Sequence, residues 1–286
     1  MDPYKFVIRG ARGGRPCFGP QFAHYGSHTT CFSLETPEGF LVIDAGTAIE
    51  TLSRKCLEAG PEKPIAILFT HFHLDHLIGL SAFAPLYHEG YNLHLYAAAP
   101  DPSHPWPNIL QDLIDEPYWP IPMRKLPSKI TYHDLDSFPQ PLQLPGARIS
   151  WCELAHTQRC LAYKISLPEG TITVATDHEA QAAPDDRFLR FCKGSTILIH
   201  DAQYTPEEYD LHRGWGHGTW RDAAQAAEQA GVQQLVLTHH DPDRTDEAMA
   251  RLENQAQSVF PNTRAAHERM VLSFKGFNVK AETSLS

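Results

Sequence analysis

"FTHFHLDHLIGL", residues 69–80, places His71, His73, Asp75 and His76 within six residues, directly after the apolar run at 65–69. A short apolar run closing in a threonine reads as a buried strand. The polar cluster therefore begins where that strand leaves the core. One turn with three imidazoles and a carboxylate is more than a solvated loop needs, so it calls for partners elsewhere in the chain.

Two other apolar runs close the same way. "TITVAT" (171–176) precedes Asp177, and "QLVLT" (234–238) precedes His239. His156 follows the strand-like "WCELA". Ligands in sheet-and-helix folds collect at the carboxyl ends of strands, so these ends are candidates to meet. The set is then His71, His73, Asp75, His76, His156, Asp177 and His239. One structural zinc needs four ligands. Seven nitrogen and oxygen donors suit two ions that share a carboxylate. Imidazole with carboxylate and no thiolate fits zinc, with manganese or iron as alternatives.

The bulk numbers exclude several classes. The chain has 286 residues, 42% hydrophobic and 20% charged, which is ordinary globular composition. With 24 basic and 34 acidic residues, the net charge is −10, which argues against loose, non-specific nucleic-acid binding. The six cysteines show no C-x-x-C spacing and read as reduced thiols. "MDPYKFVIRG" lacks a signal-peptide pattern, and no apolar run is long enough for a membrane span. The expectation is a cytoplasmic protein.

Strands are predicted near 4–9, 29–35, 39–44, 65–70, 92–97, 147–154, 160–167, 171–176, 196–200, 234–238 and 270–275. Helices are predicted from Thr47 to Gly60, with Glu50 completing a capping box, and near 245–259. Another runs from Thr219, capped with Asp222, to Gly231, with Trp220, Ala223, Ala224, Ala227 and Ala230 on one face. The proline- and tryptophan-rich segment 100–128 reads as a surface insertion, either a substrate-side flap or a rigid connecting loop. Nothing splits the chain, so residues 1–286 are expected to form one domain of layered sheets and helices.

"THFHLDH" resembles the signature of the metallo-β-lactamase superfamily of dinuclear hydrolases. "YGSHTTCFSLETPEGFLVIDAGT", "AHTQRCLAYKI", "VATDHE", "LIHDAQYTPEEY", "GWGHGT" and "LTHHDP" follow in the order of its ribonuclease Z and cyclic-nucleotide phosphodiesterase branch. The resemblance implies an α/β (α+β) fold, a four-layer αββα sandwich with the metals at one edge. It implies a first ion on His71, His73 and His156, a second on Asp75, His76 and His239, and Asp177 bridging. His240 adjoins His239 and is the alternative ligand. Gly26-Ser27-His28-Thr29 departs from the usual Gly-Gly-Asn-Thr and puts His28 near the site mouth. The long arm that grips transfer RNA has no clear counterpart. Relatives of this type often dimerise, so a homodimer is an expectation.

The chemistry expected is metal-dependent hydrolysis by a metal-bridging hydroxide, acting on a small phosphodiester or nucleotide. Asp75 and His217 are the catalytic candidates. His217, in "GWGHGTW", would protonate the leaving oxygen or stabilise charge on it, oriented by His200 and Asp201. Asp44 reads as a supporting residue rather than a ligand. The alternative is a carboxyl-ester, thioester or lactone hydrolase using the same ions.

Overall fold

The computed structural model describes residues 3–101, 105–180 and 186–274. Its strands are β1 (Lys5–Gly10), β2 (Cys31–Thr36), β3 (Gly39–Ile43), β4 (Ile65–Leu68), β5 (Asn92–Ala97), β6 (Lys129–Asp134), β7 (Leu142–Leu144), β8 (Ala147–Leu154), β9 (Cys160–Leu167), β10 (Gly170–Ala175), β11 (Ile197–Asp201), β12 (Gln234–Thr238), β13 (Thr263–Ala265) and β14 (Met270–Leu272). Its helices are α1 (Glu50–Ala59), α2 (Trp106–Leu113), α3 (Asp186–Cys192), α4 (Pro206–Tyr209), α5 (Trp220–Ala230) and α6 (Asp246–Val259).

The strands form two seven-stranded sheets, in the orders β14-β1-β2-β3-β4-β5-β6 and β13-β12-β11-β10-β9-β8-β7. In each sheet an antiparallel half gives way to a parallel half: β3 to β6 in the first, β10 to β13 in the second. Side-chain alternation sorts the apolar residues between faces. Ala66 and Leu68 of β4 point into the inter-sheet core with Ile8, Phe32, Ile165, Val174 and Ile199. Ile65 and Ile67 point out, against α1 and α2. On the second sheet, Leu198 and Leu235 point out against α3, α5 and α6. The result is the expected α/β, αββα order of layers.

Helix α5 forms as its sequence dictates. Thr219 and Asp222 make a reciprocal capping box, Gly231 ends the helix at φ 66°, and the alanine face is buried. Such a cap contributes about 1 kcal/mol.

Four expectations need correction. The capping box at Thr47 does not form: Thr47–Ile49 is a 3-10 turn, and α1 follows without a side-chain cap. The Thr47 hydroxyl is instead engaged by the Thr29 backbone N–H, at 2.9 Å. The segment at 100–128 is not a surface flap, although residues 102–104 lie outside the described part. It is the crossover from β5 to parallel β6, and Trp106, Leu110, Ile114 and Met123 are buried in the outer core. Strands β6, β7 and β13 were not anticipated. Each is three to six residues long, and β6 has no fully buried position to mark it. The last strand ends at Leu272, and residue 275 of its expected range lies outside the described part.

Candidate metal centre

The seven predicted donors converge at one edge of the sandwich. His71 follows β4, Asp177 follows β10 and His239 follows β12, so strand ends from both sheets supply them. His73, Asp75 and His76 come from the turn after β4, and His156 from the β8–β9 turn. The ligand atoms of His71, His73, His156 and Asp177 lie within 4.8 Å of one another, as do those of Asp75, His76 and His239. Asp177 stands between the groups: one carboxylate oxygen is 3.7 Å from His71 Nε2 and 3.3 Å from His239 Nε2, the other 3.4 Å from His76 Nε2. Asp75 Oδ2 is 3.3 Å from both His76 Nε2 and His239 Nε2.

The outer ring nitrogens explain why the inner ones face each other. His76 Nδ1 donates to Asp44 Oδ2 at 2.8 Å, His156 Nδ1 to Gly216 O at 2.7 Å, and His239 Nδ1 to Gln203 Oε1 at 2.9 Å. Thr70 Oγ1 gives its proton to Asp44 Oδ2, so it accepts from His71 Nδ1 at 3.0 Å. Each bond leaves an Nε2 lone pair aimed inward. His76 Nε2 and His239 Nε2 then stand 3.4 Å apart, lone pair to lone pair. His71 Nε2 and Asp177 Oδ2 are buried without a well-formed hydrogen bond. Buried polar atoms are rarely left that way. A divalent cation resolves all of these contacts, so the donor set fits one.

Charge in the site is correspondingly skewed. Burial raises the Asp177 carboxyl, but His239, His76 and His71 hold it well below the usual carboxylate range. Burial, reinforced by the neighbouring His76, His156 and His73, drives His71 well below its ordinary value despite Asp177. Burial also lowers His217, but the Asp201 carboxylate, with Asp177 and Asp75 behind it, more than offsets this and pushes it up to about 9. Its Nδ1 bonds Asp201 Oδ2 at 2.9 Å, and its ring stacks on His239 at 4.7 Å.

Backbone geometry serves the same end. Among the described residues other than glycine, only Asp44, His239 and Arg269 have positive φ. Asp44 and His239 each follow a strand, and this uncommon conformation turns their side chains into the site. A Cβ on Gly13 would lie 2.3 Å from the His239 ring, and one on Gly216, at φ 89°, 2.2 Å from His156. Both positions need glycine.

One expected neighbour of His217 lies elsewhere, and the alternative ligand faces away. His200 does not touch His217: its Nδ1 bonds Asp201 O, and its ring packs on Phe188 and His178. His240 turns away, with Nε2 on Ala266 O at 2.8 Å, and burial lowers it to about 3. His28 Nδ1 pairs with the Thr47 hydroxyl.

Sequence reasoning missed Gln203, Thr70, Glu179 and the Gly14 N–H, which donates to Asp75 Oδ2 at 2.8 Å. Backbone and neutral side-chain partners carry no signature in a linear string. Glu179, two residues past Asp177, was legible only as part of "TDHE".

Two stacked sheets with a His/Asp donor cluster at one edge define a metallo-β-lactamase-type fold. The model of the beta-lactamase superfamily domain matches residues 40–240, and the chain belongs to that family. It is 38% identical over 96 residues to ribonuclease Z of Brevibacillus brevis, a match spanning 32% of this chain and 30% of that protein's length. Ribonuclease Z of Streptococcus suis is 24% identical over 260 residues, covering 70% of this chain and 79% of the relative. The metallo-beta-lactamase fold protein YhfI of Bacillus subtilis superposes with a TM-score of 0.68 at 20% identity, over 95% of this chain and 99% of that one. No helix among the described residues is long and apolar enough to cross a membrane.

Proposed function

We propose that this protein is a metal-dependent phosphodiesterase acting on a small phosphodiester or nucleotide, and that residues 1–286 work as one domain. His71, His73 and His156 would hold one divalent ion, Asp75, His76 and His239 a second, with Asp177 between them. The pair is read as zinc, with manganese or iron as alternatives that the same imidazole and carboxylate donors fit. Bound there, such ions supply a nucleophile from water at neutral pH and neutralise phosphoryl charge.

The chain's own residues supply the rest. His217 carries the phosphodiester reading. With Nδ1 taken by Asp201, the proton it offers a leaving alkoxide is the one on Nε2. The Asp201 carboxylate raises its pKa, which favours the protonated form that can donate. Glu179 accepts from Gly214 N and Gly216 N at 2.7 and 2.8 Å, which holds the loop carrying His217. Ribonuclease Z relatives, by their name, act on RNA, which is also a phosphodiester. The net charge of −10 favours a small substrate over a long polyanion.

The test is bound-metal analysis followed by turnover of bis(p-nitrophenyl) phosphate, a p-nitrophenyl ester and a lactam. Diester turnover that a chelator abolishes is expected. The variant His217→Ala should lower it about a hundredfold or more while keeping its metal. Ester turnover alone, indifferent to that variant, would instead favour the ester, thioester or lactone reading.

A further inference from the structure

Among the large apolar side chains exposed in the described residues, Leu74 and Ile78 sit on the histidine segment and Trp215 sits beside His217. Trp215 is 61% exposed, yet it is not a loose surface residue. Its two flanking glycines both donate their backbone N–H groups to Glu179, which Tyr209 Oη also reaches at 2.9 Å. Its own N–H donates to His212 O at 3.1 Å. Its indole meets the His212 ring edge-on, with centroids 4.9 Å apart. His212 in turn stacks on buried Tyr204 at 4.4 Å and bonds Glu208 O at 2.7 Å. The next residue, Gly216, gives its carbonyl to His156.

An indole braced on its backbone and on one edge, with much of its surface left open, has less conformational entropy to lose when a ligand arrives. Such side chains make low-cost stacking platforms. We infer that Trp215 stacks against a nucleobase carried by the phosphodiester, making it a specificity-determining residue that selects nucleotides over simple diesters. The position follows from connectivity: Trp215 lies two residues from the proton donor and one from a carbonyl bonded to a metal-site histidine. Base–indole stacking tolerates every base, so the selection is for nucleosides as a class. The inference rests on the phosphodiesterase reading.

The experiment uses the metal-loaded full chain with thymidine 5′-(p-nitrophenyl) phosphate and methyl p-nitrophenyl phosphate, which share a leaving group and differ in the nucleoside. In Trp215→Ala, KM for the thymidine substrate should rise about tenfold with kcat unchanged, the methyl substrate should be unaffected, and Trp215→Phe should recover most of the loss. Thymidine monophosphate should quench tryptophan fluorescence in the wild type and not in Trp215→Phe. Equal losses on both substrates, or none, would overturn the inference. So would equal losses accompanied by a shift from dimer to monomer in sedimentation, since Trp215 would then belong to a contact between copies. Saturable quenching without turnover of either diester would instead sink the hydrolytic reading and leave the stacking intact.

Discussion

Two histidine pairs in this protein have nearly the same nitrogen–nitrogen separation and different surroundings. His73 Nδ1 and His156 Nε2 approach to 3.1 Å in the metal centre. His94 Nδ1 and His133 Nε2, on neighbouring strands β5 and β6, approach to 3.0 Å. Burial lowers the pKa of all four. Around the first pair, Asp177 comes within 3.9 Å of His156, and Gly216 O fixes the His156 ring from outside. Around the second, Tyr96 stacks on His133 at 4.4 Å with Phe138 nearby, and neither histidine is paired to a carboxylate among the described residues. The outer pair is satisfied by its own hydrogen bond. Imidazole proximity alone therefore does not make a metal centre. Carboxylates to balance the charge, and outer partners to aim the lone pairs, are what separate the two.

That contrast can be broken experimentally. The largest effect is expected for Asp177→Asn: loss of bound metal and a fall in diester turnover on the order of a thousandfold. Metal analysis and steady-state kinetics check it, and a variant that kept both would remove the carboxylate from its central place. Next comes Asp44→Asn, which leaves one acceptor oxygen for the three donors Asp44 now serves, His76 Nδ1 and the Thr70 hydroxyl and N–H, and so loosens the aim of His76. Metal affinity, read by competition with a chelator, should weaken about 10- to 100-fold.

Asp201→Asn sharpens the role of His217. His217 donates only while protonated, so turnover falls as pH rises through its pKa. Removing the Asp201 charge lowers that pKa, and the alkaline limb of the pH–rate profile should move down by at least about one unit. A limb that stayed in place would mean that another group sets it. The smallest effect is expected for His94→Ala, which should leave metal content and diester turnover unchanged. A loss of metal there would mean that the outer pair is a site after all.

The histidine motif was legible because its donors lie on one turn, where sequence spacing and spatial spacing nearly coincide. His156, Asp177 and His239 were legible as strand ends, from the switch between apolar run and polar residue. The same logic went wrong at Thr47, where a residue with good capping chemistry was claimed by Thr29 from the loop before β2. It also went wrong at 100–128, where prolines suggested a surface loop and Trp106 and Leu110 are in fact core. Local chemistry gives what a residue is able to do, and competing tertiary partners decide what it does.

By itself, the sequence determined the layered fold and the strand-end pattern and named the candidate donors, because these depend on periodicity and residue type. Only the tertiary structure decided which of His239 and His240 faces the cluster, since a single φ of 57° at His239 turns adjacent residues opposite ways. It alone made Asp201 rather than His200 the partner of His217, because alternate residues at a strand end point to opposite faces of the sheet. It alone placed Trp215 in a braced loop, since the glutamate that holds that loop arrives from another strand end.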